Sequence, residues 1–261
     1  LTSGAIWLQN RLRREQRELV QRFVQCTEAQ EPVALQCLSQ NAWRLDAAVD
    51  DYYSSPAKYD ERLSVDTRKV AALFNSYRSQ DDPDRINPTG VCRLLDDLRI
   101  DPVSLAALVL AWKLQAGVQG EFSRAEFVTG LGRLGADSLD KLRSRLAQTE
   151  RALAQDVGQL RDLHAFTFDF ARESRDSKVL PVETAIPYWN LLLNGGPFGQ
   201  LLESWFRFLR EAKVRGVSRD TWNLFFDFVS NPDNLADYDP NGAWPSLIDD
   251  FVDFLKSKLI E

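Results

Sequence analysis

The chain has 261 residues, 44% of them hydrophobic and 27% charged, with a formal net charge of −6. That length can bury a substantial core in one large domain, or in one large and one small, and the composition argues against global disorder. The acidic balance argues against nucleic acid as a partner, because phosphate neutralisation needs clustered Lys and Arg, and no apolar run approaches the roughly 18–20 residues that would span a membrane.

No signal-peptide pattern opens the chain at Leu1, and residues 1–13 read as an N-terminal extension. Short helical segments near 14–26, 32–40 and 45–53 form a small three-helix module over 14–56. The composition then breaks at Ser54-Ser55-Pro56-Ala57-Lys58, which predicts a linker over 57–65. A large helical domain follows over 66–258. Val70, Leu73, Phe74 and Tyr77 recur at i, i+3, i+4 and i+7, with Asp66 as the expected N-cap. Leu105, Leu108, Ala111 and Trp112 repeat the pattern after Asp101-Pro102, where an early Pro is tolerated. Leu139, Leu142 and Leu146 follow a start at Asp137-Ser138. Leu201, Trp205 and Leu209 share one face, as do Ile248, Phe251, Val252 and Leu255. No segment shows sustained strand alternation between hairpin turns, so the expected class is all-α.

Residues 70–98 and 105–131 each read as helix–loop–helix. In an EF-hand loop, carboxylates at positions 1, 3, 5 and 12 hold calcium, position 6 is Gly and position 8 is hydrophobic. With Ile86 at position 8, positions 1, 3, 5 and 12 fall on Ser79, Asp81, Pro83 and Gly90. With Phe122 there, Gly120 and Glu126 fit positions 6 and 12, but Gln115, Gly117 and Gln119 supply no charge. EF-hand-like architecture without calcium is expected. More broadly, neither a metal site nor a cofactor is expected. Cys26, Cys37 and Cys92 form no C-x-x-C pair and read as reduced, buried thiols of an intracellular protein. The single histidine, His164, sits in the apolar segment LHAFTFDF and reads as a packed or surface ring rather than a catalytic base. No phosphate-binding glycine loop is present.

The charge is not evenly spread. From Ser218 to Glu261 there are nine acids (Asp220, Asp227, Asp233, Asp237, Asp239, Asp249, Asp250, Asp253 and Glu261) and three bases (Arg219, Lys256 and Lys258). The full −6 therefore resides there. Such an end reads either as a docking face for a basic partner or as a solvated surface.

The segment CLSQNAWRLDAAVDDYYSSP resembles the ubiquitin-associated (UBA) fold through Trp43, Leu45, Asp46, Ala48, Val49, Tyr52 and Tyr53. Leu45, Ala48, Val49 and Tyr52 are spaced to face a core. Where UBA domains usually carry a Met-Gly-aromatic loop that touches ubiquitin, this chain has Val24-Gln25-Cys26-Thr27. The module reads either as a ubiquitin-binding element or as a docking or solubilising accessory.

Five segments in order, AWK, EFSRAEF, YWNLLLNG, DTWN and GAWPSLIDDF, resemble the DCN-like family, named for defective cullin neddylation. Its large domain is called the PONY or DCUN domain, and the resemblance covers roughly residues 16–258. It implies a non-catalytic scaffold. Such a scaffold holds the C-terminal winged-helix region of a cullin, its RING subunit and the N-terminally acetylated neddylation conjugating enzyme together in nucleus and cytoplasm. It further implies cullin contacts at Asp220, Ala243 and Asp249, with Asp250 and Asp253 adding to the field. Asp233, Asp237 and Asp239 read as loop solvation. A pocket for an acetylated N-terminal Met is implied at Val91, Ala107, Leu110, Ala111, Leu114, Ala116, Gln119, Phe122, Phe170, Tyr188 and Leu191. Taken one at a time, Leu110 and Phe122 read as core. The family often has bulkier or more polarisable groups where this chain has Ala107, Leu114 and Gly120, and Pro187 is expected to kink or restrict its helix. Two rival readings are a ubiquitin-binding adaptor acting through the small module and an enzyme using Cys92 or His164, for which no partner residue is recognisable.

Overall fold

The computed structural model describes residues 14–29, 31–54, 65–174, 176–194, 199–230, 238–239 and 242–258. The linker, residues 1–13, Asp233, Asp237 and Glu261 lie almost wholly or entirely outside them. Among the described residues the chain is helical, with four strands of two or three residues. It divides into two compact units, 1–73 with 131–142, and 74–130 with 143–261.

In the first unit, α1 (Arg14–Thr27), α2 (Glu31–Gln40) and α3 (Leu45–Ser54) pack in all three pairings. Their core is small: Val20, Phe23, Ala34, Cys37, Leu38 and Ala48 are buried, and Leu45, Val49 and Tyr52 pack against them. Phe23 meets Tyr52 edge-on at 5.7 Å. The turn before α3 passes through left-handed backbone at Ala42 and Trp43. Asn41 secures that turn through its Nδ2, which donates to the Cys37 carbonyl and to Asp51. The thiol expectation holds for Cys37 alone. Cys26 and Cys92 are exposed, because each lies on the outer face of a helix whose apolar stripe points elsewhere. In the same unit Asp66 caps the helix α4 (Thr67–Tyr77), its Oδ1 accepting from Arg68 N. Its own N–H donates to the buried carboxylate of Asp137. Lys141, 2.9 Å away, holds that carboxyl below the usual range.

In the second unit β1 (Arg85–Ile86) pairs antiparallel with β2 (Phe122–Ser123), placing Ile86 opposite Phe122. These are the two residues that the loop spacing puts at the hydrophobic position. The helices that follow them are α5 (Pro88–Leu98) and α7 (Arg124–Leu134), with α6 (Leu105–Leu114) between. Glu126 accepts from Ser123 N at 2.6 Å and Gly117 N at 2.8 Å, while Ser123 Oγ accepts from Glu126 N. This reciprocal capping box turns the position-12 carboxylate toward backbone donors. Arg124 donates to Asp84 in the partner loop. Helix α6 starts at Ser104, whose Oγ accepts from Ala107 N. The Asp101-Pro102 pair precedes it in a turn, where Asp101 accepts from Val103 N; the early-Pro start is thus displaced by a better cap.

The helix α8 (Leu139–Leu153), like α4 and α7, has residues in each unit. Beyond it a second helix–loop–helix pair forms in the second unit, which the sequence reading does not anticipate. It comprises α9 (Val157–Phe170), β3 (Val179–Pro181), α10 (Val182–Leu193), α11 (Gly199–Glu211), β4 (Gly216–Ser218) and α12 (Arg219–Ser230). The buried Leu180 faces the buried Val217 across its two strands, repeating the Ile86–Phe122 arrangement. The core here is aromatic. Trp189 stacks on Trp222 at 4.7 Å, and Trp205 stacks on Phe225 at 4.4 Å. The last helix, α13 (Ser246–Lys258), closes it through Phe251, 5.0 Å from Trp205.

Candidate functional sites

The acidic end is built on α12 and α13. Ser218 Oγ accepts from Thr221 N at 3.1 Å and caps α12. Asp220 is thereby held exposed in the first turn, where the helix dipole favours a carboxylate. Its neighbour Arg219 donates to Asp169 at 2.7 Å. The pairing lowers the Asp169 carboxyl and offsets the cation beside Asp220. Ala243 lies exposed in the turn before α13, Asp249 is half-buried in its first turn, and Asp250 and Asp253 are exposed. Asp249 and Asp253, four residues apart, share one helix face.

Tyr238 organises this end. Its hydroxyl donates to Asp249 Oδ1, and its ring stacks on Trp244 and meets Phe228 edge-on. Burial, and then Asp249 itself, push the phenol up, so it remains a donor. Tyr238 and Trp244 thus pack on Phe228 of α12 and hold Asp249, while Ala243 is the exposed chain neighbour of Trp244. Asp220 lies eight residues before Phe228 on the same helix. Asp239 is exposed. Nothing in the sequence singles out Tyr238 as the holder of Asp249, because the bond closes across a loop.

The apolar set occupies α5, α6, β2, α9 and α10. Helix α6 packs against α9, and α9 against α10. Helix α6 is apolar around most of its circumference, as a buried helix should be; Leu108, Val109, Leu110, Ala111, Trp112 and Leu114 are all buried. Val91, Ala116 and Phe122 are buried too, so Leu110 and Phe122 are core residues. Ala107, Phe170, Tyr188 and Leu191 are half-buried, and Gln119 is exposed. These five side chains are those of the set with surface that an incoming group could touch. Phe170 stacks on Phe166 at 5.3 Å, and burial pushes the Tyr188 phenol up. Helix α10 continues through Pro187 without a break.

His164 is 1% exposed and stacked on Trp222 at 4.4 Å. Burial drives its pKa down to about 3, so the ring is neutral. It is a core ring. Trp222 Nε1 donates to its backbone carbonyl at 2.8 Å.

Two families match parts of the chain: "UBA-like domain" over residues 17–58 and "Cullin binding" over 141–254. "Defective in cullin neddylation protein 1" of Caenorhabditis elegans is 36% identical over 96% of this chain and 93% of its own length. The protein of that name from Yarrowia lipolytica is 31% identical over 91% of this chain and 95% of its own. "DCN1-like protein 3" of Drosophila melanogaster is 38% identical, with 77% of this chain matched to 59% of that longer protein. With two relatives matched along nearly their whole lengths, the chain belongs to the defective-in-cullin-neddylation (DCN1-like) family.

Proposed function

We propose that the chain acts in cullin neddylation as a non-catalytic scaffold. It holds the winged-helix region of a cullin, with its RING subunit, beside the N-acetylated conjugating enzyme. The observation that carries this reading is the near full-length similarity to proteins named for defective cullin neddylation. The surfaces suit the role. Asp220 and Asp249 offer charge-assisted hydrogen bonds to Lys or Arg, the small Ala243 permits close approach, and Asp250 and Asp253 add to the steering field. The half-buried Ala107, Phe170, Tyr188 and Leu191 would offer apolar surface to an unbranched Met side chain. Acetylation removes the terminal charge, whose burial would be costly. The transfer chemistry belongs to the conjugating enzyme, which carries the modifier as a thioester and releases it, regaining its thiol, when a cullin lysine attacks. The scaffold contributes by confining two reactants in one orientation, which raises their effective molarity. The same reading carries a nuclear and cytoplasmic distribution, to be checked by imaging.

A reconstituted cullin-neddylation reaction tests it. Asp220→Lys with Asp249→Lys abolishes stimulation, whereas removal of residues 1–57 largely preserves it. The opposite pattern overturns the scaffold. One feature favours a second, ubiquitin-binding reading. A groove of about 730 Å³ on the three-helix module is lined by Leu19, Trp43, Leu45, Val49 and Tyr53, and Tyr53 is 62% exposed. Titrating the module with ubiquitin, and finding no perturbation of Trp43 or Tyr53 resonances, removes that reading.

A further inference from the structure

A groove of about 850 Å³ opens on the second unit, lined by none of the residues assigned above. Its floor is apolar: Val182 and Leu209 are buried, Ile186 and Val214 half-buried. Its rim carries exposed Arg210, Lys213 and Arg215 against one acid, Glu183. Some cations of this unit are paired, as Arg207 is with Glu211, Arg161 with Asp227 and Arg124 with Asp84. Among the described residues the three rim cations have no ion pair and no side-chain hydrogen bond. A local surplus of positive charge thus surrounds an apolar floor on a chain whose net charge is −6.

The walls of the groove are fixed by backbone bonds. At the end of α11, Lys213 takes a left-handed conformation with φ 52, and Val214 N donates to Leu209 O at 3.0 Å. That is the six-residue closure of a Schellman motif, which places Val214 by Leu209. On the other side Val182 N donates to Arg215 O at 3.2 Å. A groove shaped by its own backbone loses little freedom when it is filled.

We propose that this groove docks an acidic peptide segment of another protein. The segment seats an apolar side chain on the half-buried Ile186 and Val214, which rest on the buried Val182 and Leu209, between carboxylates that meet Arg210, Lys213 and Arg215. Rim ion pairs contribute modestly each. The apolar anchor therefore supplies most of the affinity, and the cations supply selectivity and on-rate.

The test is fluorescence anisotropy on the full chain with the labelled octapeptide EDDLFDEE. The triple variant R210E/K213E/R215E and the variant I186S should each weaken binding roughly tenfold, and salt should weaken it further. The control peptide EDDSSDEE should bind at least tenfold more weakly than the probe. If the triple reversal does not fold, R210Q/R215Q should still lose about threefold. Unchanged affinity in the charge variants or in I186S overturns the proposal. So does equal competition by an oligothymidylate of matching charge, which would make the groove a general anion surface.

Discussion

The hydroxyl of Tyr238 donates to Oδ1 of Asp249 across eleven residues of chain. Its ring stacks on Trp244 and meets Phe228 edge-on. The bond ties the loop before α13 to that helix's first turn and fixes the orientation of one carboxylate at the acidic end. A carboxylate already oriented loses less freedom when it meets a cation.

Tyr238→Phe keeps both ring contacts and removes the donor. With about 1 kcal/mol attached to such a bond, affinity for the cullin winged-helix region should fall roughly fivefold by calorimetry. Asp249→Lys should abolish binding. Unchanged affinity with a lowered Tm would make the bond structural only.

His164 links stability to pH. Its folded pKa, about 3, lies below the ordinary 6.5. Between these values the unfolded chain binds the extra proton. The stabilisation is therefore complete above pH 6.5 and is lost as pH falls toward 3. At about 1.4 kcal/mol per pH unit, urea unfolding should show a loss of about 2 kcal/mol from pH 7 to pH 5. His164→Phe should flatten that slope; an equal slope in the variant would show that another group titrates there.

Gly90 touches backbone. A Cβ there would lie 2.1 Å from the Tyr77 carbonyl oxygen and 2.8 Å from Ile86 Cγ2, whereas at Gly132 it would meet nothing within 4 Å. Gly90→Ala should destabilise by about 3 kcal/mol or more, since neither neighbour can withdraw cheaply. Gly132→Ala should be neutral or stabilising by roughly 0.5–1 kcal/mol. Denaturant midpoints of the two variants check the contrast.

Ala107 is half-buried on α6, so a larger side chain there can project without overfilling the core. Ala107→Phe should reduce binding of an acetylated conjugating-enzyme N-terminal peptide at least tenfold with little change in Tm. The unacetylated peptide should bind wild type far more weakly than the acetylated one. Equal binding of the two peptides would remove the acetyl-Met role from this surface.

Much of the fold is legible in local pattern. The three helices of the small module begin and end within a residue of their expected positions, because each is bounded by its own polar turn. Loop spacing puts Ile86 and Phe122 each at the hydrophobic position, and the structure pairs them. The second pair, Leu180 with Val217, is invisible in sequence, since strands of three residues are too short to show alternation and its loops carry no ligand pattern. The displacement of the α6 start to Ser104 has a similar origin: two capping sequences lie close together, and only the folded chain selects one.

The sequence by itself determined the helical class, the order of the modules and the confinement of the net charge to residues 218–261, all of which depend on periodicity and composition along the chain. Only the tertiary structure decided which acids are exposed, which apolar residues are core and which are rim, and that Tyr238 holds Asp249. It also decided that Arg210, Lys213 and Arg215 rim one groove. Burial and pairing depend on what the rest of the chain brings to each side chain, and that is set by packing between elements distant in sequence.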